Sequence, residues 1–358
     1  MSNVMLRTFR FFMEVLTIFI LFLCILSAIN PFFGDQFPIL ENCSTILPLT
    51  LIACFFLIIY WAINLSAWVA IPLISILINI GFIGSIFQIY RDNNEAGLID
   101  KSKLTICTYN IKGLKYGNID LTCQLISEFA EKMEVDILCI QEFDTTSDFS
   151  ADSIKNKFSY LKYNSIVQGS QPGFGLAILS RFPIINTKRI SFGSTGNQAM
   201  LSDLRIGNDT VKLINFHLQT TNFNQIRTPF VPGYWFWNMT NEAKKTRNTL
   251  DKLNNNFAKR IKQGKIVSNI IDSTNYPILV CGDMNANPAS YSYNQIKGTL
   301  IDGFRESGIG YEYTYRKIFN LFRTDYIFHS DDFSGINYKS YDLQFSDHKP
   351  VVFEMYLK

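Results

Sequence analysis

Three short segments late in the chain carry residue types that do chemistry: GDMN at Gly282–Asn285, RTDYIF at Arg323–Phe328 and SDHKP at Ser346–Pro350. Each sets an acid or an amide against the end of an apolar run. ILVCG leads into Asp283 and Asn285, Tyr326-Ile327-Phe328 follows Asp325, and VVFEMYL follows Asp347 and His348. Functional side chains gather where rigid strands give way to loops. Carboxylates, an amide and an imidazole at such places are suited to holding a hard divalent cation and activating water.

Three upstream runs supply similar positions. LTICTYNI (Leu104–Ile111) delivers Asn110, DILCIQE (Asp136–Glu142) ends on Glu142, and VKLINFHL (Val211–Leu218) carries His217. A carboxylate closing an apolar run is costly unless something pairs it, which makes Glu142 the leading metal ligand. Asn110 either adds a neutral oxygen or fixes Glu142.

The elements that must position these residues alternate in type. Strand-like runs fall also at Gly173–Leu179, Met200–Ile206, Pro277–Cys281, Tyr326–Phe328 and Val351–Tyr356, with helices over Leu121–Met133 and Thr240–Ser268. That mixture predicts an α/β chain with a two-sheet core and helices outside. In chain order the polar set is Asn110, Glu142, His217, Asp283 with Asn285, Asp325, and Asp347 with His348. That ordered set resembles the endonuclease/exonuclease/phosphatase superfamily over roughly Leu104 to the last residue.

The resemblance implies a four-layer α/β sandwich of two mixed sheets, with the site at one end, and a divalent-metal-dependent phosphoester hydrolase using Mg²⁺ or Mn²⁺. It further implies that Asp283 positions or deprotonates the attacking water and that Asn285 donates to a phosphate oxygen. His348 contacts the scissile phosphate and is oriented by Asp325. His217 donates to the phosphate or the leaving oxygen, and Asp347 is placed with Asn110 and Glu142 at the metal. Some family nucleases carry an acid two residues after the first Asn, where this chain has Lys112. The tyrosine that some nucleases bring near the phosphate has three candidates here, Tyr109, Tyr313 and Tyr315. Arg323 is a candidate phosphate contact, and His329, off the motif positions, is read as structural.

The first ninety residues are of another kind. Only Arg7, Arg10, Glu14, Asp35 and Glu41 are charged before Arg91, and Asn42–Tyr90 carries no charge. At about 20 residues per bilayer crossing, this region predicts an all-α anchor of three transmembrane helices at about 9–29, 46–64 and 68–90. The expected organisation is thus an anchor over 1–92, a linker over 93–103 and a catalytic domain over 104–358. Arg7 and Arg10 precede the first helix while Asn30–Ser44 has no Lys or Arg, so the positive-inside rule leaves the N-terminus cytoplasmic. Three crossings then put the catalytic domain on the non-cytoplasmic face of the cell or inner membrane.

Seven cysteines match no zinc spacing and suggest no disulfide pair, and a net charge of +3 implies no strong global field toward nucleic acid. No protein partner is evident. Two features bear on the substrate. Asn222–Trp237 is an aromatic loop in which Trp235 and Trp237 are suited to a membrane interface. The helix after it is basic, with Lys244, Lys245, Arg247, Lys252, Lys259, Arg260, Lys262 and Lys265. A tethered enzyme meets lipid headgroups at high effective concentration, so a lipid headgroup phosphoester is the expected substrate. The alternatives are a membrane-tethered nuclease acting on DNA or RNA and, disfavoured by the intact acid set, a catalytically inert scaffold of the same fold.

Overall fold

The structure is a computed structural model describing residues 3–89, 103–114, 119–143, 156–169, 174–193, 195–221 and 239–358. It divides into two compact units. One holds Met1–Ile83 with Thr220–Lys262 and Ala289–Asn294; the other holds Gly84–Gln219, Gln263–Pro288 and Gln295–Lys358.

The helix unit begins with α1 (Asn3–Phe33) and α2 (Ile39–Ile63), an antiparallel pair broken by the Gly34–Pro38 turn. Among the described residues these two helices are long and apolar enough to cross a membrane. The third expected span, 68–90, is not one helix. Residues Ala70–Ile78 form α3, Ile80–Ile83 form the single turn α4, and Phe87–Gln88 are already strand β1. Asn79 makes the break: its side-chain amide donates to Ser75 O at 3.0 Å and to Cys24 O at 3.2 Å. Gly81 and Gly84 weaken helix propensity beyond it. Thr17, Ser27, Asn30, Thr50 and Ser75 are buried in this unit, whereas Phe19, Phe22, Phe55 and Phe56 point outward. Trp61 Nε1 donates to Thr17 Oγ1 at 2.9 Å, closing one of the interior polar contacts.

The sandwich unit contains two six-stranded sheets. In chain order its elements are β2 (Lys103–Asn110), α5 (Ile119–Lys132), β3 (Ile137–Phe143), β4 (Tyr163–Val167), β5 (Gly175–Ser180), β6 (Ile184–Ser191), β7 (Gln198–Ile206) and β8 (Asp209–His217). There follow α6 (Met239–Asp272, whose first part lies in the helix unit), β9 (Ile278–Asp283), α7 (Tyr291–Lys297), β10 (Ile301–Asp302), α8 (Gly303–Ser307), β11 (Gly310–Tyr311), β12 (Asp325–His329), β13 (Phe333–Ser340) and β14 (Val351–Leu357). The sheet orders are β13-β14-β2-β3-β5-β4 and β10-β12-β9-β8-β7-β6, and β1 pairs with β11 separately.

Ile106, Cys139, Ile178, Leu213, Cys281, Ile327 and Phe353 belong to one buried cluster contributed by both sheets. On the outer face of the first sheet, α5 sends Cys123, Ile126 and Ala130, spaced three and four apart, against Cys107, Leu138, Ile140 and Leu179. With both faces covered, strands such as β3 and β9 are apolar almost throughout rather than alternating. This is the four-layer α/β sandwich.

Two pairs are parallel, β2 with β3 and β8 with β9, each joined by a helical crossover. Their carboxyl ends therefore lie at one edge, the usual place for a ligand in parallel sheets. Antiparallel pairing brings the start of β12 beside the end of β9, and the start of β14 beside the end of β2.

Candidate active site

Strand register gathers the polar set. In the second sheet His217 stands opposite Asp283, and Asp283 opposite Asp325, making one row across β8, β9 and β12. In the first sheet Asn110 pairs with Gln141, and Glu142 then occupies a bulge, since the β3–β5 register shifts between Gln141 and Phe143. The Glu142 backbone adopts φ 53°. A bulge re-aims the side chain of the extra residue. Gly175 makes room, because a Cβ there would lie 1.8 Å from Phe143 O. The glycine of GDMN has a similar cause: Gly282 has φ 142°, and its Cβ would meet Phe216 O at 2.0 Å.

The Asn110 amide nitrogen donates to Glu142 Oε1 at 3.0 Å and to Asp283 Oδ2 at 2.9 Å. Its oxygen accepts the Lys112 N–H at 3.0 Å, so Asn110 acts here by fixing two carboxylates. Asn285, at φ 54°, donates its backbone N–H to Asp283 Oδ1 at 2.8 Å and its amide to Leu218 O at 3.0 Å. His348 Nδ1 lies 2.9 Å from Asp325 Oδ2 and its Nε2 3.7 Å from Asp283 Oδ2. His217 Nε2 stands 3.7 Å from both Glu142 Oε1 and Asp283 Oδ2.

The sequence pattern of the endonuclease/exonuclease/phosphatase family matches residues 107–348, more than half of the chain and the whole of this cluster. The chain belongs to that family. No curated protein matches the sequence. Among solved structures, the human nocturnin catalytic domain with bound sulfate is similar at 19% identity and TM-score 0.51, covering 72% of this chain and 95% of that one. A humanized D. rerio TDP2 is similar at 15% and 0.50, covering 71% and 98%. An endonuclease/exonuclease/phosphatase from Beutenbergia cavernae matches at 16% and 0.52, covering 71% and 72%. At these identities the likeness is one of fold.

The electrostatics fit a family site that takes a cation. Burial pushes the Asp283 carboxyl up and nearby Asp325 adds to it, against the opposing pull of His348, His217 and Asn110. Burial alone would lower His348, but Asp325 and Asp283 outweigh it and carry the imidazole up to about 10. Among the described residues, both ring nitrogens of His217 and Oδ1 of Asp325 are buried with no hydrogen-bond partner. Glu142, His217 and Asp283 offer ligand atoms within 4.8 Å of one another, as do Asp283, Asp325 and His348. Carboxylate oxygens and imidazole nitrogens with no thiolate among them suit a divalent cation that does not seek sulfur. Glu142, whose side chain keeps 24% of its exposure, is the open carboxylate.

Other expected site residues are placed differently. Asp347 does sit beside His348, but its Oδ2 receives the ammonium groups of Lys112 and Lys317, the latter at 3.2 Å. Its Oδ1 is buried with no hydrogen-bond partner among the described residues. Burial would raise Asp347, yet His348 and the two lysines outweigh it and leave the carboxyl below its ordinary value. The expectation that Arg323 contacts phosphate is corrected. Its side chain has no exposed surface and is bound through two nitrogens to Asp302 at 2.7 and 2.6 Å. Trp235 and Trp237 lie outside the described residues. Of the tyrosine candidates, Tyr109 is buried, Tyr313 lies under Lys349, and Tyr315 sets its ring 5.1 Å from that of His348.

The supporting polar groups went unread in the sequence. Ser346 Oγ donates to Asn110 O at 2.7 Å and accepts the His348 N–H at 3.1 Å. Thr324 Oγ1 donates to Asp325 Oδ2 at 2.9 Å, and Thr314 Oγ1 accepts the Asp325 N–H at 3.0 Å. Beneath them Gln141 Nε2 donates to Asn215 Oδ1 at 2.7 Å, joining the two sheets. Ser346 and Thr324 sit directly beside motif residues, a signal that was available. Gln141 and Asn215, polar residues inside apolar strands, offered another.

Proposed function

We propose that this chain is a membrane-anchored phosphoester hydrolase that depends on a hard divalent cation, Mg²⁺ or Mn²⁺, and acts on lipid headgroup phosphoesters. The observation that carries the hydrolysis is the row His217–Asp283–Asp325 facing Asn110 and Glu142, with His348 bonded to Asp325. Glu142, with Asn110 and Asp283 beside it, would hold the cation, which supplies charge neutralisation on the phosphate oxygens. Asp283 orients the attacking water and accepts its proton as the new P–O bond forms. His348, held by Asp325 in a single ring orientation, faces the phosphate with Nε2. His217 donates to the leaving oxygen as the old P–O bond breaks, and the Asn285 amide faces a non-bridging oxygen. In-line placement and charge stabilisation are what phosphoryl transfer requires.

The lipid part of the reading rests on the helix unit. Thr17, Ser27, Asn30, Thr50 and Ser75 are buried in it while Phe19, Phe22, Phe55, Phe56 and many of its Ile and Leu side chains are exposed, a distribution suited to an apolar surrounding. Asn30 and Asn42, at the α1–α2 turn, bond Ala289 O at 3.1 Å and Asn254 Oδ1 at 2.8 Å. Arg7 and Arg10 lie at the other end of α1. With the positive-inside rule those arginines favour a cytoplasmic N-terminus, and residues 93–103 are the linker to a catalytic domain over 104–358. A nucleic-acid substrate is the second reading, favoured by D. rerio TDP2, which was solved with a single-strand DNA product.

One assay decides between them: the purified full chain with Mg²⁺ against vesicle lipid phosphodiesters, single-stranded DNA and RNA. Turnover of lipid that vanishes on chelation and in Glu142→Gln is expected. Turnover of DNA or RNA alone would select the second reading, and activity in excess chelator would sink the metal dependence.

A further inference from the structure

The small ribbon of β1 and β11 has no part in the mechanism above. Only Gly84, Ser85 and Ile86 separate α4 from β1, so the chain passes from apolar helices almost directly into this strand. A two-stranded ribbon is marginal alone, and this one is fastened at its base. Arg323 donates to Ser85 O at 2.9 Å, and the Glu312 N–H donates to Ile86 O at 2.8 Å. Phe87 stands opposite Tyr311, and Gln88 opposite Gly310. Residues directly opposite in a pair place their side chains on one face. Phe87 and Tyr311 are both exposed, as are Ile89 and Ile309, two residues along each chain.

The ribbon is tied to a loop that springs from the active site. Tyr311 Oη donates to Asn320 O at 3.1 Å, and the neighbouring Phe319 is 86% exposed. Ile318, Phe319 and Asn320 all hold left-handed backbone, at φ 59°, 60° and 56°. For a β-branched residue such as Ile318 that conformation is an outlier, and it persists only where the surroundings impose it. At the base of the loop Tyr315 pairs with both Phe322 and His348, its ring 5.1 Å from the imidazole. Single exposed apolar side chains are ordinary on a protein surface. Here Phe87, Ile89, Ile309, Tyr311 and Phe319 are joined by one strand pairing and one hydrogen bond, and a grouped apolar surface marks an interaction site.

We propose that the β1–β11 ribbon and the Phe319 loop form a surface that docks on the bilayer interface and sets the His348 end of the active site at headgroup level. The inference rests on the lipid reading of the substrate and names the surface that would serve it. Aromatic side chains favour the headgroup region, and aliphatic ones bury just below it. A lipid phosphate lies at that same depth. A site whose rim is seated there meets the phosphate without drawing the lipid out of the membrane. The occupant is the bilayer surface, and chain continuity with the apolar helices favours it over a protein or a nucleic-acid strand.

The native cysteines are all buried, so a cysteine introduced at an exposed position can be labelled selectively. The full chain carrying Phe319→Cys, Ile309→Cys or Asp331→Cys is labelled with bimane and reconstituted into phosphatidylcholine–phosphatidylglycerol vesicles containing nitroxide lipids. Asp331 is exposed beyond the end of β12 that lies away from Asp325, and serves as the control. Quenching by the nitroxides is expected at positions 319 and 309 and not at 331. In parallel, Phe319→Ser should lower the ratio of lipid to soluble-phosphodiester turnover about ten-fold, the scale of one Phe side chain removed from water. Thermal melting checks that each variant is folded. No quenching at 309 and 319, or equal quenching at all three positions, would overturn the surface. So would an equal fall on both substrates with a lowered melting temperature, the mark of a packing role. Shielding of the 319 label by single-stranded DNA but not by lipid would also overturn it and assign the patch to stacked bases. Quenching at 309 and 319 in a protein that turns over no lipid would overturn the substrate reading and leave the surface standing.

Discussion

Two buried ionic clusters among the described residues of the sandwich unit are built on opposite rules. Around Arg323, the guanidinium is bonded through two nitrogens to Asp302, donates also to Ser85 O at 2.9 Å, and lies over the rings of Tyr326, Phe304 and Tyr338 at 4.7–5.4 Å. Asp302 additionally caps α8 by accepting the Phe304 N–H at 3.0 Å. At the strand ends, three carboxylates and two imidazoles converge, and among the described residues Asp325 Oδ1 and both nitrogens of His217 have no hydrogen-bond partner. Buried charge is tolerated when it is paired and bonded. In the first cluster the guanidinium is paired with a carboxylate of the same chain, whereas in the second carboxylates face one another and a cation would relieve them.

The largest effect separates the two clusters outright. Asp283→Ala removes the water-orienting carboxylate and should lower turnover roughly 10²–10⁴-fold, the usual range for an acid–base group. Its melting temperature should fall only modestly, as the Asn110 amide and the Asn285 N–H lose the carboxylate they bond. Steady-state kinetics beside calorimetry reads both quantities, and near-wild-type turnover would remove the mechanism. Arg323→Met should do the reverse. It strands Asp302 in the interior and should cost about 3–5 kcal/mol of stability, the range for breaking a buried pair from one side. At temperatures where the variant stays folded, kcat should change little, and denaturant unfolding tests this. A parallel loss of kcat would mean that the sealed cluster also serves the site.

The contrast shows what the sequence could and could not disclose. Asn110, Glu142, His217, Asp283, Asn285, Asp325 and His348 were legible because each follows or precedes an apolar run, and strand register does the rest. Arg323 stood two residues before Asp325 and looked equally available. Its burial depends on Asp302, Phe304 and Tyr338, partners that no local pattern connects to it. The lysine contacts of Asp347 were hidden for a related reason, since Lys317 reaches it only through the pairing of residues 314–316 with 347–349. Helix lengths were read from hydropathy, so α1 and α2 were foreseen. The end of α3 depends on Asn79 bonding to Cys24 across the unit, which hydropathy does not see.

The smallest effect tests whether the sealed cluster is as settled as it looks. Glu312 is buried nearby, and burial pushes its carboxyl up to about 7, against the opposing pull of Arg323, Ser340 and Lys349. Its Oε1 has no hydrogen-bond partner among the described residues. Between its ordinary value near 4.5 and about 7, the folded state binds a proton that the unfolded state has released. Folding stability from this group is therefore fully present in acid and declines as pH rises through that window. Glu312→Gln keeps the shape without the titration, so its melting temperature relative to wild type should rise from pH 5 to pH 8, a differential of roughly 1–3 kcal/mol. The active site supplies the control, since Glu312→Gln leaves Glu142, Asp283 and His348 untouched and should leave the pH profile of kcat unchanged. If the two proteins' melting temperatures stay parallel from pH 5 to pH 8, Glu312 is neutral throughout or fully paired, and the sealed cluster is more complete than its orphaned oxygen suggests.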